Sequence, residues 1–162
     1  MMKPYVPQTP MMLRAIADAD QHIAAQEGGP FGACIVRHGQ VLATAHNTVL
    51  KDHDATCHAE INAIRLASRA LGTHELADCE IYSTTEPCPM CFSAIHWARI
   101  PVIVFGTRIA DVQRLGFNEM AIDNARLVQM SGSPILLVED FLRAECLSLL
   151  QHWQALPASA TY

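Results

Sequence analysis

The stretch T-E-P-C-P-M-C, Thr85 to Cys91, constrains this chain more than any other. Two cysteines three apart, the first set between two prolines, predict a rigid turn that opens a helix at Pro89, where a missing N–H costs nothing. At a helix's first turn that spacing points both sulfurs the same way. The unpaired N–H groups there also favour thiolate over thiol. Such a pair serves a disulfide, a redox couple or a metal. The opening M-M-K-P-Y-V-P-Q-T-P-M-M does not read as a secretory leader, and no apolar run has the length of a membrane span. A reducing, cytoplasmic setting is therefore expected, with the six cysteines as thiols or ligands.

A metal needs further ligands. C-H-A-E, Cys57 to Glu60, offers them at a second predicted helix start. Cys88, Cys91 and the imidazole of His58 make a donor set that suits zinc and leaves a fourth tetrahedral position for water. Glu60 then has two uses. As a fourth ligand it closes a structural site; left free, it can take a proton from a water whose pKa zinc brings to about 7. Two rival readings stand beside this one. A thioredoxin-like redox pair leaves H-x-E without a role. A structural zinc with Cys57 as fourth ligand asks two adjacent side chains to converge on one ion. Cys34, Cys79 and Cys146 read as small core residues. Of the other histidines none stands at metal-ligand spacing from a partner, and His53 reads as a solvated loop residue.

The order of elements predicts an α/β fold in a single domain of residues 1–162. A helix from Thr9-Pro10 to Glu27 turns Leu13, Ile16 and Ile23 inward, within an N-terminal segment 1–27. Phe31–His38 and Val41–Ala45 form a hairpin about Gly39-Gln40. His58–Leu71 is helical, Cys79–Thr84 a strand, Pro89–Ala98 a helix and Pro101–Gly106 a strand. Asp111–Asn124 is irregular or weakly helical. Pro134–Val138 is a strand, Glu139–Ala155 a helix presenting Phe141, Leu142, Leu149 and Trp153, and 156–162 a tail. This alternation predicts a mixed sheet with helices on both faces, and sites at strand ends. The net charge of −5 argues against a basic nucleic-acid footprint.

H58-A-E60 followed by P87-C88-P89-M90-C91 resembles the zinc-dependent cytidine deaminase superfamily; H-x-E…P-C-x-x-C is that superfamily's signature. G28-G29-P30-F31-G32-A33, Asn47, A55-T56-C57-H58-A59-E60-I61 and I95-H96-W97-A98-R99 extend the resemblance to its guanine deaminase branch. The resemblance implies a three-layer α/β/α sandwich around a five-stranded mixed sheet and a zinc-bound hydroxide that attacks C2 of guanine, giving xanthine and ammonia. It also implies a homodimer, in which a C-terminal segment can cross over the partner's pocket. By position His58, Cys88 and Cys91 match the zinc ligands and Glu60 the proton shuttle. Asn47 matches the amide that reads the base edge, Phe31 and Trp97 match pocket aromatics, Glu119 matches a second acid, and Tyr162 corresponds to a tail aromatic that closes the site. Simpler readings remain: a turn for Asn47, core for Phe31 and Trp97, a solvated acid for Glu119, a frayed end for Tyr162. Cys57, the D52-H53-D54 loop, 125–138 and the tail depart from the branch pattern.

The implied substrate is a small purine base together with water. The nearest alternative is a tRNA adenosine deaminase, which shares H-A-E and P-C-x-x-C but needs a basic surface for phosphates. A deaminase of another ring (cytosine, a pterin or a triazine) would keep the same catalytic atoms. A zinc module without activity would have no use for Glu60.

Overall fold

The computed structural model of the chain describes residues 5–162, so the first four residues of the expected 1–27 segment lie outside the described residues. Among the described residues the sheet has five strands in the order β2-β1-β3-β4-β5. These are β1 Gly32–Arg37, β2 Gln40–His46, β3 Cys79–Thr85, β4 Val102–Thr107 and β5 Leu136–Val138. β1 pairs antiparallel with both β2 and β3, while β3–β4 and β4–β5 are parallel. The helices are α1 Thr9–Ile23, α2 Val49–Asp52, α3 Ala59–Leu71, α4 Pro89–Trp97, α5 Ile109–Arg114, α6 Asn124–Ser131 and α7 Arg143–Gln154.

Strand alternation divides the core. Ala33, Ile35, Ile81, Ile103 and Phe105 pack on Ala59, Ala63 and Ala67 of α3 and on Phe92 and Ile95 of α4. Cys34, Val36, Tyr82 and Val104 face the other way, onto Met11, Met12 and Ala15 of α1 and Cys146 of α7. The result is the expected three-layer sandwich around a mixed sheet. Cys34, Cys79 and Cys146 are buried in it, as expected.

Several boundaries differ from expectation. α1 stops at Ile23, not Glu27, and Leu13 is exposed; Met11, Met12, Ala15, Ala19 and Ile23 form the inner face. The hairpin turns on His38-Gly39 rather than Gly39-Gln40. Both have positive φ, 50° and 74°, the geometry of a type I′ turn, and Arg37 pairs with Gln40. α7 starts at Arg143, because Asp140 and Leu142 adopt left-handed backbone that no helix continues through. α2 and α6 were unforeseen: α2 buries none of its residues and α6 only Asn124, so neither shows an apolar stripe. For α6 the caps were visible: Asp123 accepts from Arg126 N at 2.7 Å, and Gly132 closes it at φ 67°.

Candidate active site

Sheet register brings the site residues to one edge. Gly32 opposes His46 and Ala33 opposes Ser83, so Phe31, Asn47 and Thr85–Glu86 all leave the strands together. The helices α3 and α4 begin at this edge. His58 is the residue before α3 and Cys88 the residue before α4, both in extended backbone. Two helix N-termini thus meet, each with free N–H groups and a partial positive charge that favour thiolate.

Their side chains converge. His58 Nδ1 lies 3.6 Å from Cys88 Sγ and 3.5 Å from Cys91 Sγ, and ligand atoms of the three residues all fall within 4.8 Å of one another. Two soft sulfurs and a borderline nitrogen at that spacing fit a zinc ion. Cys57 is not in the cluster; its sulfur lies 3.4 Å from Arg65 Nη1 and lines a different cleft. The hydrogen bond from Cys91 holds the Cys88 thiol down at about 4, with His58 adding to the effect. The same bond, with burial, pushes Cys91 up.

Glu60 is buried at 6% exposure, with Oε2 3.5 Å from Cys91 Sγ. Burial raises its pKa. Ser83 Oγ lies 3.0 Å from Glu60 Oε1 and 2.7 Å from the Thr85 carbonyl. One hydroxyl proton cannot serve both acceptors in full, so a protonated Glu60 would donate to Ser83 and leave that hydroxyl for Thr85.

The cavity in front of this cluster holds about 250 Å³ and is lined by Phe31, Asn47, His58, Glu60, Glu119 and Tyr162, among others. That is slightly below the usual range of ligand pockets, which starts at about 300 Å³, and matches a small ring. Glu119 reaches the cavity from the irregular segment 115–123. Burial, reinforced by the Cys88 charge, raises its pKa to about 7.

Asn47 is 2% exposed. Its Oδ1 accepts from Val49 N at 3.1 Å, Gly29 N at 3.3 Å and the Tyr162 hydroxyl at 2.6 Å, while its Nδ2 has no partner. The carbonyl side is saturated and a buried donor is left over. A Cβ at Gly28 would overlap Asn47 Oδ1, which accounts for a glycine there.

Tyr162 is not a frayed end. Its hydroxyl also accepts from Gly29 N at 3.0 Å, its carbonyl accepts from Asn118 N at 3.0 Å, and its ring stands edge-on to Phe117 at 5.4 Å. Trp97 is a correction: it is 78% exposed and lines no part of the cavity. Cys91 and Ile95 point inward from α4, and at about 100° per residue a side chain two positions past Ile95 points away from them.

Two residues escaped the sequence reading. Phe117 sits between Phe31, Trp153 and Tyr162 and carries the aromatic wall expected of Trp97; its place beside G116 and E119 was the only signal. Glu86 is 5% exposed and accepts from Ile109 N at 3.2 Å and Asn124 N at 2.8 Å, the first residues of α5 and α6. Its signal was its position directly before P-C-P-M-C.

A mixed sheet with a His-Cys-Cys cluster at two helix starts, and a buried carboxylate beside it, defines a zinc-binding deaminase domain. Residues 7–107 match the family model described as the cytidine and deoxycytidylate deaminase zinc-binding region. A guanine deaminase from Bacillus subtilis (strain 168) is 42% identical over 106 residues, 65% of this chain and 68% of that protein. The structure of a guanine deaminase from Nitrosomonas europaea superposes with a TM-score of 0.82 at 29% identity, covering 95% of this chain and 89% of that one. A tRNA-specific adenosine deaminase from Buchnera aphidicola subsp. Schizaphis graminum is 31% identical over 131 residues, 80% of this chain and 83% of that protein. The chain belongs to the cytidine and deoxycytidylate deaminase zinc-binding family. Among the described residues no helix is long and apolar enough to cross a membrane.

Proposed function

We propose that this chain is a zinc-dependent aminohydrolase that converts guanine and water to xanthine and ammonia in the cytoplasm, working as a homodimer. The observation that carries the substrate assignment is Asn47. Its oxygen is used up by three protein donors and its buried Nδ2 is unpaired, so it calls for a ring that brings an acceptor. Guanine offers two neighbouring acceptors, the 6-oxo group and N7; adenine shares N7 but sets a 6-amino donor beside it, so it matches the Asn47 donor less fully. Sites of this kind discriminate strongly, because the wrong analogue leaves buried polar groups unmatched.

His58, Cys88 and Cys91 would hold the zinc ion, which when bound makes a water nucleophilic near neutral pH. Glu60, buried next to Cys91, accepts that water's proton and returns it to the departing amine. Glu119, with a pKa of about 7, is part protonated and part ionised at neutrality, and so can both bind a ring N–H and relay a proton. Phe31, Phe117 and Tyr162 give the flat base apolar surface.

The tRNA adenosine reading has a relative of good coverage behind it. Against it stand the net charge of −5 and the orientation of Asn47. Ammonia release from guanine, guanosine, adenine, cytosine and tRNA decides the matter. Turnover of guanine well above the rest is expected; release from tRNA with none from guanine would overturn the assignment.

A further inference from the structure

On the opposite side of β2 from the cysteine cluster, Asp18, His22 and His46 bring ligand atoms within 4.8 Å of one another. Asp18 and His22 stand four apart on one face of α1, and His46 ends β2. No histidine-to-histidine or histidine-to-cysteine spacing marks this cluster in the sequence, because His46 comes from a different element than Asp18 and His22. The two imidazoles stack at 3.7 Å with 7° between their planes, so their in-plane lone pairs run parallel and one ring must turn for both nitrogens to reach a shared ion.

We infer that Asp18, His22 and His46 form a second divalent transition-metal site, separate from the cysteine cluster. The outer contacts already suit ligation. His22 Nδ1 lies 2.7 Å from the Asp18 carbonyl oxygen, one turn back in α1. Donating its proton there leaves Nε2 with a free lone pair. His46 Nε2 lies 2.7 Å from Glu27 Oε2, and Lys51 Nζ holds the other Glu27 oxygen at 3.0 Å. Donating to Glu27 leaves His46 Nδ1 for a cation. Metal-bound histidines carry this arrangement as a rule, with the remote N–H given to a carboxylate or a backbone carbonyl.

In the chain as it stands His46 Nδ1 and Asp18 Oδ2 are 3.0 Å apart and share a proton. A cation would take that proton's place, and the proton would leave to solvent. Two imidazole nitrogens and one carboxylate oxygen suit Zn²⁺, Co²⁺, Ni²⁺ or Cu²⁺. The side chains of Asp18, His22 and His46 are 23%, 36% and 16% exposed, so water can fill the remaining coordination positions. The site would pin α1 to the strand end one residue before Asn47.

Titrating Co²⁺ into the zinc-loaded protein tests this. The wild type should take up one further equivalent, with a cobalt spectrum lacking sulfur-to-cobalt charge transfer, since no thiolate is among the donors. His22→Gln, at a partly exposed helix position, should weaken that uptake at least tenfold while the zinc content stays unchanged. Asp18→Asn should do the same. No further equivalent in the wild type, uptake accompanied by the thiolate band, or equal uptake by His22→Gln would each overturn the site.

Discussion

His58, Glu60, Cys88 and Cys91 sit on helices α3 and α4 or directly before them, on backbone held by strand pairing and by helix hydrogen bonds. Glu119 and Tyr162 face the same cavity from 115–123 and 155–162, which contain neither helix nor strand. The groups proposed for bond breaking therefore rest on the rigid part of the fold. Asn47, proposed to read the ring, follows β2 directly and is buried on the rigid part too, whereas Glu119 and Tyr162, proposed to help hold the ring, rest on the irregular segments. The contacts that close over the ring can therefore change more readily than the zinc ligands, Glu60 or Asn47.

The sharpest way to break that division is to strike the rigid half. Glu60→Gln keeps size and burial but cannot accept the water's proton. Turnover should fall by about 10³-fold, within the range general-base catalysis supplies, with zinc content unchanged by elemental analysis. Retained turnover would remove Glu60 from the proton path. Lost zinc would make it a ligand instead.

Glu86 joins the two halves. It accepts the first N–H of both α5 and α6, so it anchors both ends of the stretch that carries Glu119. Glu86→Ala leaves two buried donors without a partner, at about 1–3 kcal/mol each. Denaturant unfolding should register a loss of about 2–6 kcal/mol, and Glu86→Gln a smaller loss, because an amide offers one acceptor where two are needed. A change under about 1 kcal/mol would mean that the irregular half is held by something else.

Legibility in the sequence follows the same division. P-C-P-M-C and C-H-A-E announce themselves because a metal's demands are met by residue types at local spacing, and Pro89 marks the start of α4. The sheet was readable because β1 and β4 are largely apolar runs, and β1, β3 and β4 are buried on both faces. Trp97 was misplaced because residue type says nothing about helical phase, and Phe117 was overlooked because the irregular segment 115–123 has no periodicity that assigns its side chain a face. Tyr162 depends on a hydrogen bond to Asn47 from the far end of the chain, for which no local pattern exists. Leu13 looked like core until the phase of α1 put Met12 and Ala15 there instead.

Asp111 offers a gentler probe of how α5 supports the loop that follows it. Its carboxylate accepts from Arg143 Nη1 at 2.7 Å and Nη2 at 3.0 Å, and from Arg108 N at 2.8 Å. The Arg143 bonds hold its pKa below the ordinary 3.8. A depressed carboxylate stabilises fully above its unfolded value and loses that contribution as pH falls from 3.8 through the folded value. Asp111→Asn should therefore cost about 1–2 kcal/mol at neutral pH and flatten the acid limb of stability below pH about 4. An unchanged acid limb would remove this ion pair from the acid response.

The smallest expected effect falls on the tail. Tyr162→Phe keeps the ring against Phe117 and removes only the hydroxyl that donates to Asn47 Oδ1 and accepts from Gly29 N. Val49 N and Gly29 N still orient the Asn47 amide, so the base-reading donor survives but is held less firmly. One neutral hydrogen bond is worth about 0.5–1.5 kcal/mol, which corresponds to a KM for guanine raised about 3- to 10-fold. The turnover number should not change, since the hydroxyl touches neither Glu60 nor the cysteine cluster. If kcat falls instead and KM holds, the tail acts on the rigid half after all, and the division between chemistry and choice is wrong at that point.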